Sequence, residues 1–274
     1  MTIRALDTYR VLDDVTSRLP GLGLNELEHD AALLDRVDRK YLVDADRLTA
    51  AVSAVAARVL DIDGARLFGY RSTYFDTPDL TSYHQAARRR PRRFKVRTRS
   101  YESTGACWVE AKLRDRCGRT VKERVVHDPG HETTLTQSAH SFLTGFDDIA
   151  GHLTLLDPTL TTSYHRATLV CGQRVTFDVG LTYSMPGGPP LATFGSDLVI
   201  AETKSAGCRP GPFDRALWRL GVRPTIVSKY CVGVAAAHPE LPANKWHRVL
   251  DRHLERIPMP TRPTPPHVQI GDPR

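Results

Sequence analysis

The chain has 274 residues, of which 41% are hydrophobic and 25% charged, and a formal net charge of +7. That is apolar material enough for an ordinary core in one large or two small domains. No apolar run approaches bilayer length, and Met1 to Asp14 contains no hydrophobic signal region, so we expect neither a membrane span nor a secretory signal.

Residues 1–34 are polar and irregular, broken at Leu19-Pro20-Gly21-Leu22-Gly23, and read as an N-terminal arm or a short helix. Arg39 to Val43 predicts a short strand. Asp46 then caps a helix expected to run to Leu60. Leu67 to Asp76 predicts a strand, ended by Asp76-Thr77-Pro78, and further strands are expected to about residue 126. His131 to Leu156 reads as helical, anchored by Phe142, Phe146 and Ile149. Strands resume near Pro158 and continue to Lys204, interrupted by the turn Met185 to Pro190. Pro212 opens a helix over Phe213 to Leu220, and Ser228 caps another to about Ala237. Lys245 to Arg256 predicts a charged C-terminal helix, followed from Ile257 by an extended, proline-rich tail. The division expected is thus an arm (1–34), a main domain (35–240) and a C-terminal helix with its tail (241–274).

Five cysteines, Cys107, Cys117, Cys171, Cys208 and Cys231, form no closely spaced pair and are odd in number. They read as reduced thiols of a cytoplasmic protein, and a zinc site is not expected. The positive balance points to an acidic partner: nucleic acid, an anionic membrane surface or a phosphorylated small molecule.

The strands are more informative than the total charge. In Arg93 to Tyr101, residues Arg93, Lys95, Arg97 and Arg99 share one strand face, while Phe94, Val96, Thr98 and Ser100 share the other. Five further segments repeat the arrangement. Glu110 and Lys112 oppose Val109, Ala111 and Leu113. Lys122 and Arg124 oppose Val121 and Val125. Arg166 shares its face with Tyr164 and Thr168. Arg174 and Asp178 oppose Val175, Phe177 and Val179. Glu202 and Lys204 end the sixth strand on one face. Such a sheet can turn its charged face to water. Alternatively, it closes into a barrel with the charges inside. Like charges crowded across neighbouring strands are destabilising unless a polyanion pairs with them. Arg and Lys suit phosphate oxygens, and Glu110, Asp178 and Glu202 offer hard oxygen donors that suit Mg²⁺ or Mn²⁺. Asp178 also reads as an internal partner of Arg166 or Arg174. The run Arg88-Arg89-Arg90-Pro91-Arg92-Arg93 is either a solvated turn or a funnel for polyanion. The strands lack the interleaved aromatics of a base-stacking platform, so nucleic acid is not expected.

In order along the chain stand Asp38-Arg39-Lys40-Tyr41, Tyr74-Phe75-Asp76-Thr77, Lys95-Val96-Arg97-Thr98-Arg99, Val109-Glu110-Ala111-Lys112 and Val121-Lys122-Glu123-Arg124. Tyr164-His165-Arg166, Phe177-Asp178, Ile200-Ala201-Glu202-Thr203-Lys204 and Ser228-Lys229-Tyr230 follow. Over residues 35–238 this combination resembles the triphosphate tunnel metalloenzymes, a CYTH-like superfamily, and within them the polyphosphate polymerase domain of the vacuolar transporter chaperone (VTC) type. The resemblance implies an α+β fold: a closed antiparallel barrel of about eight strands around a basic tunnel, with flanking helices. It implies phosphate contacts from Lys40, Arg97, Arg99, Lys112, Lys122, Arg124, Arg166, Arg174, Lys204 and Lys229, with Arg97, Arg99, Lys112 and Lys122 at the reacting phosphates. Glu202, with Glu110, would hold a divalent metal, Mn²⁺ or Mg²⁺. The implied partners are ATP with phosphate or polyphosphate, and a membrane-protein partner is left open. Lys40 and Lys229 rest on the resemblance alone. One departure matters. Hydrolytic and cyclase branches open with Glu-x-Glu-x-Lys, whereas this chain has Arg36-Val37-Asp38-Arg39-Lys40. Fewer carboxylates would steer a hydrolytic water less well. That shifts the expectation toward an ATP-dependent polyphosphate polymerase, with a tripolyphosphatase or nucleoside triphosphatase and a non-catalytic polyphosphate-binding module as alternatives.

Overall fold

Two-residue alternation organises the chain from residue 36 onward. The computed structural model describes residues 3–30, 36–116, 118–195 and 197–258. Helix α1 (Ile3–Ser17), a two-residue strand β1 (Gly21–Leu22) and α2 (Leu24–Asp30) precede β2 (Arg36–Asp44). Asp44 ends this strand and caps α3 (Ala45–Ser53), its carboxylate accepting the Arg47 N–H at 2.9 Å. The cap therefore sits two residues before Asp46. The helix stops short of Leu60 because Arg58–Leu60 is a strand, β3, paired in parallel with β1.

Strand β4 (Phe68–Asp76) leads through α4 (Thr81–Ala87) to β5 (Arg93–Tyr101), β6 (Cys107–Arg114) and β7 (Thr120–His127), a run of antiparallel neighbours. The expected long helix is broken into α5 (Gln137–Thr144), α6 (Asp147–Ala150) and a 3₁₀ turn at Leu153–Leu155, with Gly145 and Gly151 at the breaks. Strands β8 (Asp157–Val170), β9 (Arg174–Ser184), β10 (Pro190–Phe194) and β11 (Leu198–Ala206) follow. Pro212 is the first residue of α7 (Pro212–Arg219). The Ser228 hydroxyl caps α8 (Lys229–Ala237), accepting the Cys231 N–H at 3.3 Å. In place of one C-terminal helix stand α9 (His247–His253) and β12 (Leu254–Arg256), a strand that pairs with β10. The prolines of the tail from Pro260, and residues 31–35 beside the arm, lie outside the described residues. No helix among the described residues is long and apolar enough to cross a membrane.

The α+β reading holds, but the sheet is not a closed barrel. Its strands run β7–β6–β5–β4–β8–β9–β11–β2, with β10 and β12 branching from the far half of β9. Among the described residues no ladder joins β7 to β2, so the twelve-stranded sheet stays open. Two features account for this. Strand β7 is largely exposed, Val126 being 64% accessible, so little packs against it. The free edge of β2 is met instead by the loop after α7, where the Thr225 N–H donates to the Lys40 carbonyl at 2.8 Å.

The open sheet still curls, because residues of seven strands meet on one cavity. Helices cover its outer face. Leu12 and Val15 of α1, Leu48 of α3 and Leu217 of α7 pack with Val43, Val175, Phe177, Val199 and Ala201. Leu143 of α5 and Ile149 of α6 pack with Phe94, Val96, Val109 and Ala111. The inner face is divided. Toward one end α8 fills it, with Tyr230, Val234 and Ala235 clustered on Leu160, Tyr183 and Ile200. A Cβ on Gly233 would lie 2.4 Å from both Leu160 and Tyr183, so only glycine lets the helix approach this closely. Toward the other end the inner face is charged.

Candidate functional site

Motif Asp38-Arg39-Lys40-Tyr41 shows how alternation builds the site. Asp38 and Lys40 face the cavity. Arg39 and Tyr41 face outward onto Asp214 of α7, which accepts the Tyr41 hydroxyl at 2.7 Å and pairs with Arg39 at 3.5 Å. Asp214 also accepts the Thr203 hydroxyl at 2.6 Å, tying α7 to β11 as well. Asp76 plays the same structural part for β4. Its carboxylate accepts the N–H groups of Ser82 and Tyr83, at 2.8 and 2.9 Å, and the hydroxyl of Tyr230, so it fixes both α4 and α8. Half of each motif is therefore scaffold and half is site.

Fifteen of the described residues line a cavity of about 270 Å³. Nine are basic (Lys40, Lys95, Arg97, Arg99, Lys112, Lys122, Arg166, Lys204 and Lys229) and three are acidic (Asp38, Glu110 and Glu202). Burial alone would make such an array intolerable. Three carboxylates, each shared between two or more cations, relieve it. Glu110, 1% exposed, takes Arg97 on one oxygen at 2.7 Å and Lys122 on the other at 2.7 Å, with Arg99 at 3.9 Å. Asp178, fully buried beneath the lining, accepts Arg166 through both oxygens at 2.6 and 2.9 Å, and Lys229. Glu202 pairs with Lys40 at 2.9 Å and Lys204 at 3.9 Å.

Proton affinities follow from the same contest. Burial pushes the Glu110, Asp178 and Glu202 carboxyls up, but the cations around each prevail and hold all three well below the usual carboxylate range. Burial pushes Lys204 down to about 8, with Glu202 opposing and Arg174 and Arg166 reinforcing the fall. Lys122 is driven the same way by burial and by Arg97 and Arg99, against Glu110. Its side chain is 34% exposed, so solvent tempers the push. Burial raises the Tyr74 phenol, but Arg97, Arg99, Lys229 and Lys95 together bring it below its ordinary value.

Of the residues expected in the site, Lys40, Arg97, Arg99, Lys112, Lys122, Arg166, Lys204, Lys229, Glu110 and Glu202 line this cavity. Arg124 and Arg174 do not. Arg124 lies on the same sheet face but covers the Trp108 ring at 4.4 Å, and Arg174 sits beyond Lys204 in register with it. Sequence reasoning passed over Lys95, Tyr74 and Ser228 as site residues. Lys95 shares its strand face with Arg97, so the alternation already carried it; its Nζ donates to Ser228 at 2.8 Å. Tyr74, whose hydroxyl accepts from Arg97 at 3.0 Å, gave no signal beyond its motif.

The sequence model of the VTC domain family matches residues 35–238. The chain belongs to the VTC domain family. Enzymes of this family are of the triphosphate-tunnel type, acting by phosphoryl transfer or hydrolysis. Comparison with curated proteins gives no match. Among solved structures, a candidate adenylate cyclase from Bacillus halodurans is 15% identical, with 71% of this chain and 94% of that one covered and a TM-score of 0.46. A candidate adenylyl cyclase from Hippeastrum, described as having a dominant triphosphatase activity, is 15% identical over 72% of this chain and 94% of that one, at 0.44. The PH1819 protein of Pyrococcus horikoshii is 11% identical over 74% and 98%, also at 0.44. At TM-scores below 0.5 these likenesses do not extend to activity.

Enzymes of this type generally use a divalent metal. In this VTC domain no cluster of three or more His, Cys, Asp or Glu occurs among the described residues. Glu110 has both oxygens engaged by cations. Asp38 and Glu202 are diagonal neighbours on the inner face of β2 and β11, since Asp38 pairs with Lys204 and Lys40 with Glu202. Two carboxylates, completed by phosphate oxygens and water, are the donor set Mg²⁺ ordinarily takes beside a phosphate chain. The residues therefore fit an ion that arrives with its substrate.

Proposed function

We propose that this VTC domain is a phosphotransferase of the polyphosphate polymerase type, moving the terminal phosphoryl of ATP onto phosphate or a growing polyphosphate chain. The observation that carries the reading is the lining itself: among the described residues, nine cations against three carboxylates, with Glu110 and Glu202 ion-paired to those cations. Such a lumen neutralises a polyanion and offers little with which to orient a hydrolytic water. In the transfer, the bond from the terminal phosphorus to its bridging oxygen breaks, ADP leaves, and an acceptor phosphate oxygen forms the new bond. Phosphoryl transfer of this kind needs alignment and charge neutralisation, with no protein nucleophile. Arg97 and Arg99, fixed by Glu110, Tyr74, Ser72 and Tyr164, hold one flank of the chain. Arg166, Lys204 and Lys229 hold the other. Asp38 and Glu202 would hold the metal, which would supply charge neutralisation at the phosphates.

A second reading, tripolyphosphatase or nucleoside triphosphatase, draws on Asp38, the carboxylate left where hydrolytic relatives carry their second acid. Purified protein with ATP and Mn²⁺, resolved on a polyacrylamide gel and assayed for free phosphate, separates the readings. Chain growth supports the polymerase. Phosphate release without chains supports the hydrolase, and binding without turnover leaves a polyphosphate-binding module.

A further inference from the structure

Beyond the cavity, the charged row of β5 continues. Arg93 precedes Lys95 by two residues on the same strand face, about 7 Å further along. Its cross-strand partner is Arg114, just as Lys95 pairs with Lys112. Lys245, from the segment before α9, joins them, and with Arg89 these residues line a second cavity of about 340 Å³.

This second cluster differs from the first in how it is neutralised. Among the described residues, Arg93, Arg114 and Lys245 are in no ion pair. Their hydrogen bonds go to neutral carbonyls: Arg93 to Arg90 at 2.8 Å, Arg114 to Gly118 at 3.2 Å and Lys245 to Ala86 at 3.1 Å. The one carboxylate in the lining, Asp115, is bound to Arg119 at 2.9 Å. Burial and the neighbouring Arg93, Arg89 and Lys95 hold the Lys245 ammonium below its usual proton affinity, and burial with Arg114 does the same to Arg93. The inner cavity meets its cations with Glu110, Asp178 and Glu202. Among the described residues none of the three outer cations is paired with a carboxylate in this way, and the cluster lies in line with the inner one.

We propose that the Arg93–Arg114–Lys245 cluster is a second anion subsite, through which a phosphate chain too long for the inner cavity leaves it. The proposal rests on the polyanion reading of the inner cavity and adds a direction to it: the chain runs along β5 from Arg99 toward Arg93. A triphosphate occupies the inner cavity alone, while a long chain reaches both clusters.

Binding measured on the full chain tests this with two probes, inorganic tripolyphosphate and long-chain inorganic polyphosphate, for the wild type and for an Arg114→Gln/Lys245→Gln variant. Arg93→Gln is the parallel variant should the double substitution fail to fold. The expected result is a tripolyphosphate Kd within about twofold of wild type, a long-chain Kd raised roughly tenfold or more, and a salt dependence reduced only for the long chain. A long-chain Kd unchanged by the substitutions overturns the subsite. Equal losses for both probes overturn it too, since the residues would then act on the inner cavity or the fold. If the wild type binds neither probe, the polyanion reading itself fails and takes the subsite with it; if it binds tripolyphosphate and the variants show no preference between probes, only the subsite fails.

Discussion

Asp178 touches no solvent, yet it decides how the empty protein tolerates two of its cavity cations. It accepts both forks of Arg166 and the Lys229 ammonium, whose side chains are 13% and 11% exposed. Asp178→Asn keeps the shape and removes the charge, leaving two nearly buried cations without a carboxylate. Breaking a buried pair by removing one partner costs about 3–5 kcal/mol. In a chain of this size each kcal/mol moves the melting temperature by about 2–4 °C, so a fall on the order of 10 °C is expected without ligand. Arg166 and Lys229 also line the cavity, so saturating tripolyphosphate brings oxygens to the same two cations. The variant's deficit should then shrink to less than about half, with a ligand-induced stabilisation larger than the wild type's. Differential scanning fluorimetry at low salt, with and without tripolyphosphate, reads both numbers. An Asp178→Asn protein that melts like wild type in the absence of ligand would refute the idea that Asp178 neutralises these cations. An equal deficit with and without ligand would refute the idea that phosphate takes over its role.

Affinity for tripolyphosphate should fall as pH rises through about 8. Lys204 begins to lose its proton there in the empty protein, with Lys122 shifted the same way, and bound phosphate restores both ammonium forms. Calorimetry in two buffers of different ionisation enthalpy should show proton uptake on binding between pH 8 and 9, and none would count against it. Over the same interval these depressed lysines bind more protons in the unfolded chain than in the folded one, so their contribution to the stability of the empty protein rises with pH. Glu202→Gln should abolish Mn²⁺- or Mg²⁺-dependent turnover and leave tripolyphosphate binding without metal within a few-fold; a wild-type rate would reduce Glu202 to a partner of Lys40. Arg97→Ala should lower the melting temperature of the empty protein, because Glu110 at 1% exposure loses its closest partner; unchanged or higher stability would show that relief of cationic crowding dominates. Gly233→Ala should destabilise by about 1–3 kcal/mol, the added Cβ meeting Leu160 and Tyr183 at 2.4 Å, and circular dichroism melts would show it.

The charged faces were legible because a strand's period of two is a local property. Arg97, Arg99, Lys112, Lys122, Arg166, Glu202 and Lys204 could be placed on one side without any knowledge of tertiary structure. The partner of Asp178 could not be chosen that way. Arg174 lies four residues away along the same strand, about 13 Å, whereas Arg166 is directly opposite in register on β8, and register belongs to the pair of strands. Closure failed for a related reason. Whether two edges meet depends on what else reaches them, and Thr225, from a loop that carries no alternation, reaches β2. The cap at Asp44 and the broken helix after His131 show the ordinary ambiguity of neighbouring Asp residues and of weakly periodic segments.

The crowding of like charges also needs a different physical account from the one the strand faces suggest. Basic strand faces alone imply a lumen under repulsion until a polyanion enters. Ion pairs to Glu110, Asp178 and Glu202 show that the inner lumen instead holds internal counter-ions. Each is a single negative charge shared among two or more cations, which leaves those cations partly neutralised and pre-oriented. A phosphate chain entering this lumen does not have to gather flexible side chains: Arg97 and Arg166 are already fixed by hydrogen bonds to Glu110, Tyr74 and Asp178. Pre-orientation lowers the entropy lost on binding. It also sets a limit on tightness, because every new phosphate contact competes with a carboxylate that stays in place. On the proposed polyphosphate reading, a chain held by shared cations would advance from one set to the next, toward Lys95 and Arg93, without a deep trap at any one of them.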